Sequence, residues 1–310
     1  MTYRECYAYG LEALTAAGIA DARIDARLLL EYVCHTTQHD LILHGDREVN
    51  SEDVTAFKDC IAKRRERIPL QHITGRQTFM GFDFMVNEHV LIPRQDTEVL
   101  VEEVLRVIKP GMHILDMCTG SGCILLSLLA LCEGCTGIGM DISAEALAVA
   151  GQNKVQVEAQ CGRMLRAEFV ESDLFAAFKK VKESIACDLS VKPEATRIDM
   201  QGGRYRFDAI VSNPPYIASA VIDTLEPEVR LYEPIGALDG TEDGLYFYRR
   251  IIAEGRAFLK KGGALLFEIG HDQGESVAGL MKEAGFSDVA VRKDYAGLDR
   301  VVYGFYEEEV

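Results

Sequence analysis

Apolar positions recur at two spacings along this chain, and the change of spacing divides it. Through residues 3–75 they follow a helical period: Leu11, Leu14 and Ile19, then Ile24, Leu28, Leu29, Tyr32 and Val33. Asp21 and Ser51 are the expected N-caps, and the third helix runs from Ser51 into Lys63-Arg64-Arg65-Glu66-Arg67 before Pro69. From Arg76 the pattern changes. Thr78 to Val86 alternates around Gly81, which predicts a hairpin linking two domains. Val90 to Glu98 then leads into a helix capped by Asp96 or Thr97. Beyond it, apolar strands alternate with helical stretches, the signature of a parallel sheet covered on both faces. The strands are expected at 112–117, 136–140, 166–171, 207–212, 263–269, 288–293 and 301–306. The domains are therefore a helical unit, 1–75, a hairpin linker, 76–90, and an α/β unit, 91–310. The polar stretch 179–205 reads as a loop inserted into the last of these.

Composition narrows the class. A chain of 310 residues that is 48% hydrophobic, with no long low-complexity run, is expected to be a soluble globular protein. Its net charge of −16 argues against a nucleic-acid substrate, which would favour a basic surface. No run of ~18 apolar residues offers a membrane span, and Met1 to Cys6 has no apolar signal core. Nine cysteines, an odd number, point to free thiols in a reducing cytoplasm. The basic run 63–67 reads as a solvated helix end placed well on the dipole, or else as a contact for an acidic partner such as ribosomal RNA.

Two stretches carry chemistry. After the strand ending at Asp116-Met117 comes Cys118-Thr119-Gly120-Ser121-Gly122, then a helix from Cys123. A glycine turn there lets a ligand approach the backbone, although the third glycine of the dinucleotide fingerprint is absent. The next strand ends at Asp141, ~20 residues further on, where a carboxylate can bind ribose hydroxyls. Together these suit a nucleoside cofactor, an NAD site or an empty doubly wound sheet being the other readings. The second stretch is Ile210-Val211-Ser212-Asn213-Pro214-Pro215-Tyr216, a buried strand running into a stiff loop. Tandem prolines fix φ and donate no N–H, and Pro214 holds Asn213 extended. The Asn213 amide oxygen and the Pro214 carbonyl are acceptors, and Tyr216 offers a ring face, a grip suited to a planar nitrogen group. The alternative is an ordinary proline-terminated turn. Cys132 and Cys135 have metal-like spacing but no second pair, so no metal site is expected. His35 and His39 would share a helix face only if the helix continued through them. Met80 and Met85 read as hairpin packing.

A glycine turn on the first strand with Asn-Pro-Pro-Tyr on the fourth resembles methyltransferases that modify exocyclic or amide nitrogens. More closely, 67–75, 91–98, 212–216, 233–238, Asp243-Gly244-Leu245, Glu268-Ile269-Gly270 with Gln273-Gly274, and 294–302 resemble the HemK/PrmC family, the release factor glutamine methyltransferases. The resemblance implies a doubly wound, seven-stranded class I methyltransferase domain, Rossmann-like, behind a small helical domain that helps dock the substrate. It implies methyl transfer from S-adenosyl-L-methionine, giving S-adenosyl-L-homocysteine, to N5 of the Gly-Gly-Gln glutamine of class I peptide chain release factors. Asp116, Cys118, Thr119, Gly120, Ser121, Gly122 and Asp141 would hold the cofactor, with Leu174 at its adenine end. Asn213 would border cofactor and substrate, and Pro214, Pro215 and Tyr216 would grip the substrate amide. No metal, membrane or direct nucleic-acid partner is expected, and the enzyme is expected to work as a monomer. A ribosomal-protein glutamine or a nucleic-acid base amine is the rival substrate, and a non-catalytic adapter the rival class. Cys118 stands where the family has glycine, tolerable with negative φ, and Gln95 stands where it has proline.

Overall fold

Seven strands send alternate side chains into two separate apolar layers, and that alternation builds the larger part of the molecule. The computed structural model describes residues 1–178, 200–201 and 204–307. Its strands are β1 (Arg76–Phe79), β2 (Phe82–Met85), β3 (His113–Met117), β4 (Thr136–Asp141), β5 (Arg166–Glu171), β6 (Met200–Gln201), β7 (Arg204–Tyr205), β8 (Phe207–Ser212), β9 (Leu259–Glu268), β10 (Phe286–Lys293) and β11 (Asp299–Tyr306). The large sheet has the order β10-β11-β9-β8-β3-β4-β5. Ile114, Ala209, Val211, Ala264 and Leu266 point into a layer shared with helices Gln95–Val107 and Cys123–Leu131. Leu115, Met117, Ile210, Leu265 and Phe267 point the other way, against helices Tyr246–Gly255 and Gly274–Glu283. Period-two side chains on a sheet buried on both sides require this division.

Six strands point the same way, and β11 alone runs against them, antiparallel to both β9 and β10. The sheet is thus mixed, not wholly parallel as the alternation suggests. The physical reason is the short connection from Lys293 to Asp299: a turn of that length joins antiparallel neighbours, whereas a parallel pair needs a crossover of a dozen residues or more. The expected inserted loop, 179–205, falls largely outside the described residues. Its described part is the antiparallel pair β6 and β7.

The described chain divides into two compact units, one of residues 1–76 with 225–232, the other of 77–224 with 233–310. The first is helical: Tyr3–Ala16, Ala22–Cys34, Gln38–Leu43, Ser51–Arg65 and Leu70–Thr74, joined by Pro227–Tyr232. Leu14, Leu29, Leu30, Phe57 and Ile61 are its fully buried centre. Several local expectations are corrected here. Asn50, not Ser51, caps the fourth helix by accepting from the Asp53 N–H, and Asp21 sits at a cap position without making the bond. His35 ends its helix in a left-handed conformation, so His35 and His39 share no face. In the second unit, Met85 is exposed, and helix Gln95–Val107 starts after Arg94, leaving Asp96 and Thr97 inside its first turn.

The basic run is also more than a solvated end. Arg64 is buried, with Nε donating to Asp25 Oδ2 at 2.7 Å and Nη1 to Glu228 Oε1 at 3.0 Å. Arg67 joins Glu228 at 3.2 Å, and Tyr232 donates to the Glu66 carbonyl at 2.6 Å. Burial raises the Asp25 pKa and Arg64 opposes that rise. Removing the cation leaves an uncompensated buried carboxyl, which is costly. Arg64→Ala is expected to lower stability by about 3 kcal/mol, read by urea unfolding of the full chain. Adding Asp25→Leu should return much of that loss.

Candidate active site

In an open α/β sheet, ligands settle where the strand order reverses, beyond the carboxyl ends of the strands. Here β3 lies between β4, which follows it in sequence, and β8, which comes much later. The loops leaving β3 and β8 are therefore neighbours. Register fixes how closely: Met117 pairs with Ser212, and the Ser212 hydroxyl donates to the Met117 carbonyl at 2.6 Å. A cavity of about 510 Å³ opens there. Its walls include Cys118, Thr119, Gly120 and Ser121 from the β3 loop, Met140, Asp141 and Ile142 from β4, and Ser172, Asp173 and Leu174 from the β5 loop. Asn213 and Pro215 enter after β8, and Val90, Leu91, Pro93, Arg94, Thr97, Pro234 to Ala237 and Phe247 add to the wall.

The β3 turn is built by cross-bracing. Thr119 N–H donates to the Met140 carbonyl at 2.9 Å, and Gly120 N–H donates to Asp141 Oδ2 at 2.9 Å. Asp141 Oδ1 accepts from the Ser143 N–H at 3.0 Å. Gly122 begins the next helix at φ +78°, and a Cβ there would stand 3.2 Å from Ala150 and Leu126 side-chain carbons. Glycine meets both demands. Asn153, fully buried, donates to the Ser121 carbonyl at 2.9 Å and exchanges bonds with the Met85 backbone, pinning the turn to the hairpin. Sequence reading misses Asn153, because an asparagine inside a helix carries no local sign of a partner 68 positions away.

Cys118 corrects an expectation. Its φ is +61°, not negative. A residue with a Cβ in this region costs of order 1 kcal/mol, which is why glycine suits the position. Leu174, also on the wall, has φ +47°. There Ser172 Oγ donates to the Leu174 carbonyl at 2.6 Å, and Arg250 grips the Asp173 carboxylate from 2.8 Å.

Asp116, Gly122, Pro214 and Tyr216 are not among the residues that line the cavity. Asp116 is fully buried: Oδ2 accepts from the Thr119 hydroxyl at 2.6 Å and the Leu125 N–H at 3.3 Å, and Oδ1 has no hydrogen-bond partner among the described residues. It braces the turn from inside. Burial pushes its pKa up to about 7, against the hydrogen bonds from Thr119 and Leu125. Burial likewise raises Asp141, against three backbone N–H donors. Glu268, at the end of β9, is also pushed up to about 7 by burial. It accepts from the Tyr216 hydroxyl at 3.4 Å. The Tyr216 backbone is fixed as well, since Gln273 Nε2 donates to its carbonyl at 2.9 Å. A Cβ on Gly240 would lie 2.8 Å from the same backbone. The Asn213 to Tyr216 loop is thus gripped on several sides.

Residues 5–75 match the PrmC N-terminal domain family. The release factor glutamine methyltransferase of Caulobacter vibrioides is 38% identical over 306 residues, 98% of this chain and 96% of that protein. That of Geobacter sulfurreducens is 38% identical over 291 residues, covering 94% and 92%. A solved methyltransferase from Pyrococcus furiosus shares the fold at a TM-score of 0.50 and 15% identity, spanning 80% of this chain and all of its own.

The buried Asp116 gives stability a definite pH dependence. Its folded pKa lies above the ordinary carboxylate value, so the unfolded chain releases this proton at lower pH than the folded one. Between about pH 4 and pH 7 the contribution to stability therefore falls as pH rises. The melting temperature should decline across that window by less in Asp116→Asn than in the wild type. Parallel melting curves for both proteins would refute the buried-acid account.

Proposed function

This chain belongs to the release factor glutamine methyltransferase family, and we propose that it methylates N5 of the Gly-Gly-Gln glutamine of class I peptide chain release factors, using S-adenosyl-L-methionine. The observation that carries the reading is the meeting of a glycine turn, an acidic strand end and Asn213 with Pro215 on one cavity. The donor set suits the cofactor. A cavity of about 510 Å³ falls within the range that holds small organic ligands. Asp141 accepts the Gly120 N–H on one oxygen and the Ser143 N–H on the other, and even with the third backbone donor its two oxygens keep lone-pair capacity for a ribose hydroxyl. Ile142 and Leu174 supply apolar surface for a purine, and the turn from Cys118 to Gly122 supplies close backbone. Bound there, S-adenosyl-L-methionine provides an electrophilic methyl carbon on a sulfonium and leaves as S-adenosyl-L-homocysteine.

The protein's own task is orientation. An amide nitrogen is a poor nucleophile because its lone pair is delocalised, as the ~18–20 kcal/mol rotation barrier shows. Asn213 Oδ1 and the Pro214 carbonyl, which lies in the chain between wall residues Asn213 and Pro215, accept the two N–H groups of the substrate amide. That fixes the nitrogen in line with the methyl carbon and favours the positive charge that grows on it. The methylated cationic amide is acidic enough to release its proton to water, so no protein base is called for. No metal is called for either, because the sulfonium is itself the electrophile. Tyr216 acts by holding the loop, its ring packing in the layer beneath the cavity and its hydroxyl on Glu268. We place the reaction in the cytoplasm, with the helical domain helping to dock the release factor and one chain sufficing for catalysis.

The test is methyl transfer from labelled cofactor to a purified class I release factor. Label on the Gly-Gly-Gln glutamine is the expected result, and label found instead on RNA or a ribosomal protein overturns the substrate assignment. Asn213→Ala should lower kcat by about 100-fold or more, as losing a transition-state hydrogen bond does, while S-adenosyl-L-homocysteine still binds. A variant with near wild-type kcat would remove Asn213 from the mechanism.

A further inference from the structure

Helix Gly274–Glu283 starts at Gln273, yet the Gln273 side chain does not cap it. That carboxamide turns back and meets three stretches of backbone at once. Its Oε1 accepts from the Gly270 N–H at 3.0 Å, in the turn that leaves β9. Its Nε2 donates to the Tyr216 carbonyl at 2.9 Å and to the Gly244 carbonyl at 3.4 Å. These partners force the orientation, because a primary carboxamide has one acceptor end and one donor end. Rotated by half a turn, it would set its oxygen against two carbonyls and its N–H groups against an N–H. Room for the group is built in as well. Gly244 has φ +71°, and a Cβ there would stand 2.7 Å from Gln273 Nε2 and collide with the Tyr216 carbonyl oxygen.

The geometry points to Gln273 as a positioning residue for methyl transfer: it clamps the far end of the Asn213 to Tyr216 loop and so sets where the Pro214 carbonyl meets the substrate amide. The inference rests on the methyl-transfer reading above and deepens it. Pro214 and Pro215 have no N–H, so the middle of the loop has no donors with which to tie itself down. Its two ends must be held from outside. At the near end the Ser212 hydroxyl donates to the Met117 carbonyl at 2.6 Å. At the far end the peptide joining Tyr216 to Ile217 is held from both sides. Its C=O accepts from Gln273 Nε2, and its N–H donates to the Leu238 carbonyl at 3.0 Å. Between these ends the proline rings fix φ, so a shift of the far peptide is carried back to Pro214. Gln273 is not among the residues that line the cavity, and it therefore acts through the loop. Sequence alone gives no hint of this role, since Gln273 and Tyr216 are 57 positions apart.

Gln273→Met keeps the length and deletes both ends of the amide, while Gln273→Glu keeps the acceptor and, when ionised, loses the donor. With the full chain, labelled cofactor and a class I release factor, both should lower kcat about tenfold or more at neutral pH. KM for the release factor and the binding of S-adenosyl-L-homocysteine should stay nearly unchanged. Acid separates the two variants. A protonated carboxyl in Gln273→Glu regains one O–H donor, and the two carbonyls it faces favour that neutral form. The surrounding groups do not oppose this: Tyr248 gives its proton to the Glu268 carbonyl at 2.9 Å, and Asp272 and Asp299 flank the same turn, Asp299 already paired with Lys293. The kcat of Gln273→Glu relative to wild type should thus rise several-fold from about pH 8 to about pH 6, while that of Gln273→Met stays level. Dividing by wild type removes the titration of Asp116 and Glu268, which all three proteins share. Wild-type kcat in Gln273→Met would overturn the clamp, as would a loss confined to KM or a relative kcat of Gln273→Glu that ignores pH. If Gln273→Met melts below the assay temperature, the pH course of Gln273→Glu decides by itself. A wild type that never methylates the release factor sinks the methyl-transfer reading, whereas an active wild type matched by Gln273→Met sinks only the clamp.

Discussion

The pairing of β3 with β8 is the constraint on which the rest depends. Ile114 faces Ala209 and Met117 faces Ser212, and the Ser212 hydroxyl closes the pair on the Met117 carbonyl. A slip of one residue would turn Ala209 and Val211 into the wrong apolar layer and Ile210 into the other. Both layers are closely filled, so that slip is strongly disfavoured. With the register set, the loop that begins at Cys118 and the loop that begins at Asn213 leave the sheet side by side. In the reaction we propose, one loop holds the nucleoside and the other the amide, and their adjacency lets one methyl group pass between them.

Carboxyl groups hold these loops still. Asp116 works from within the β3 turn, Asp141 from the end of β4 and Glu268 from the end of β9. Each accepts from N–H or O–H groups of a loop that has little regular structure of its own. Burial raises all three pKa values, a cost that the accepted hydrogen bonds only partly offset. Strain adds to it. Cys118 and Leu174, both on the cavity wall, hold positive φ without being glycine. Backbone of this kind persists only where the surroundings over-determine it. Here the Thr119 and Ser172 backbone bonds to the end of β4 provide that determination.

Several features were legible in the sequence because they are local. The strands show as apolar runs, the turns as glycines, the stiff loop as two prolines, and their order along the chain resembles one family throughout. Asp141 stands out by its distance from the glycines. Other features look alike in sequence and differ in space. Asp116 and Asp141 each end an apolar strand, yet Asp141 lines the cavity while Asp116 braces the turn from behind full burial. Tyr216 reads as a ring for the ligand, and the structure places it off the cavity wall with its hydroxyl on Glu268 and its carbonyl on Gln273. Arg64 reads as one charge in a solvated run and is a buried partner of Asp25.

By itself, then, the sequence determined the two kinds of periodicity, the order of elements, the glycine turn and the rigid Asn213 loop, all set by neighbours within a few residues. Only the tertiary structure decided the antiparallel place of β11, the positive φ at Cys118, and the contacts of Asn213 with Thr97 and of Tyr216 with Glu268. The reason is the range of the forces involved. Propensity and pattern act along the chain, whereas hydrogen bonds and burial act across space, between residues that meet only after the sheet has closed.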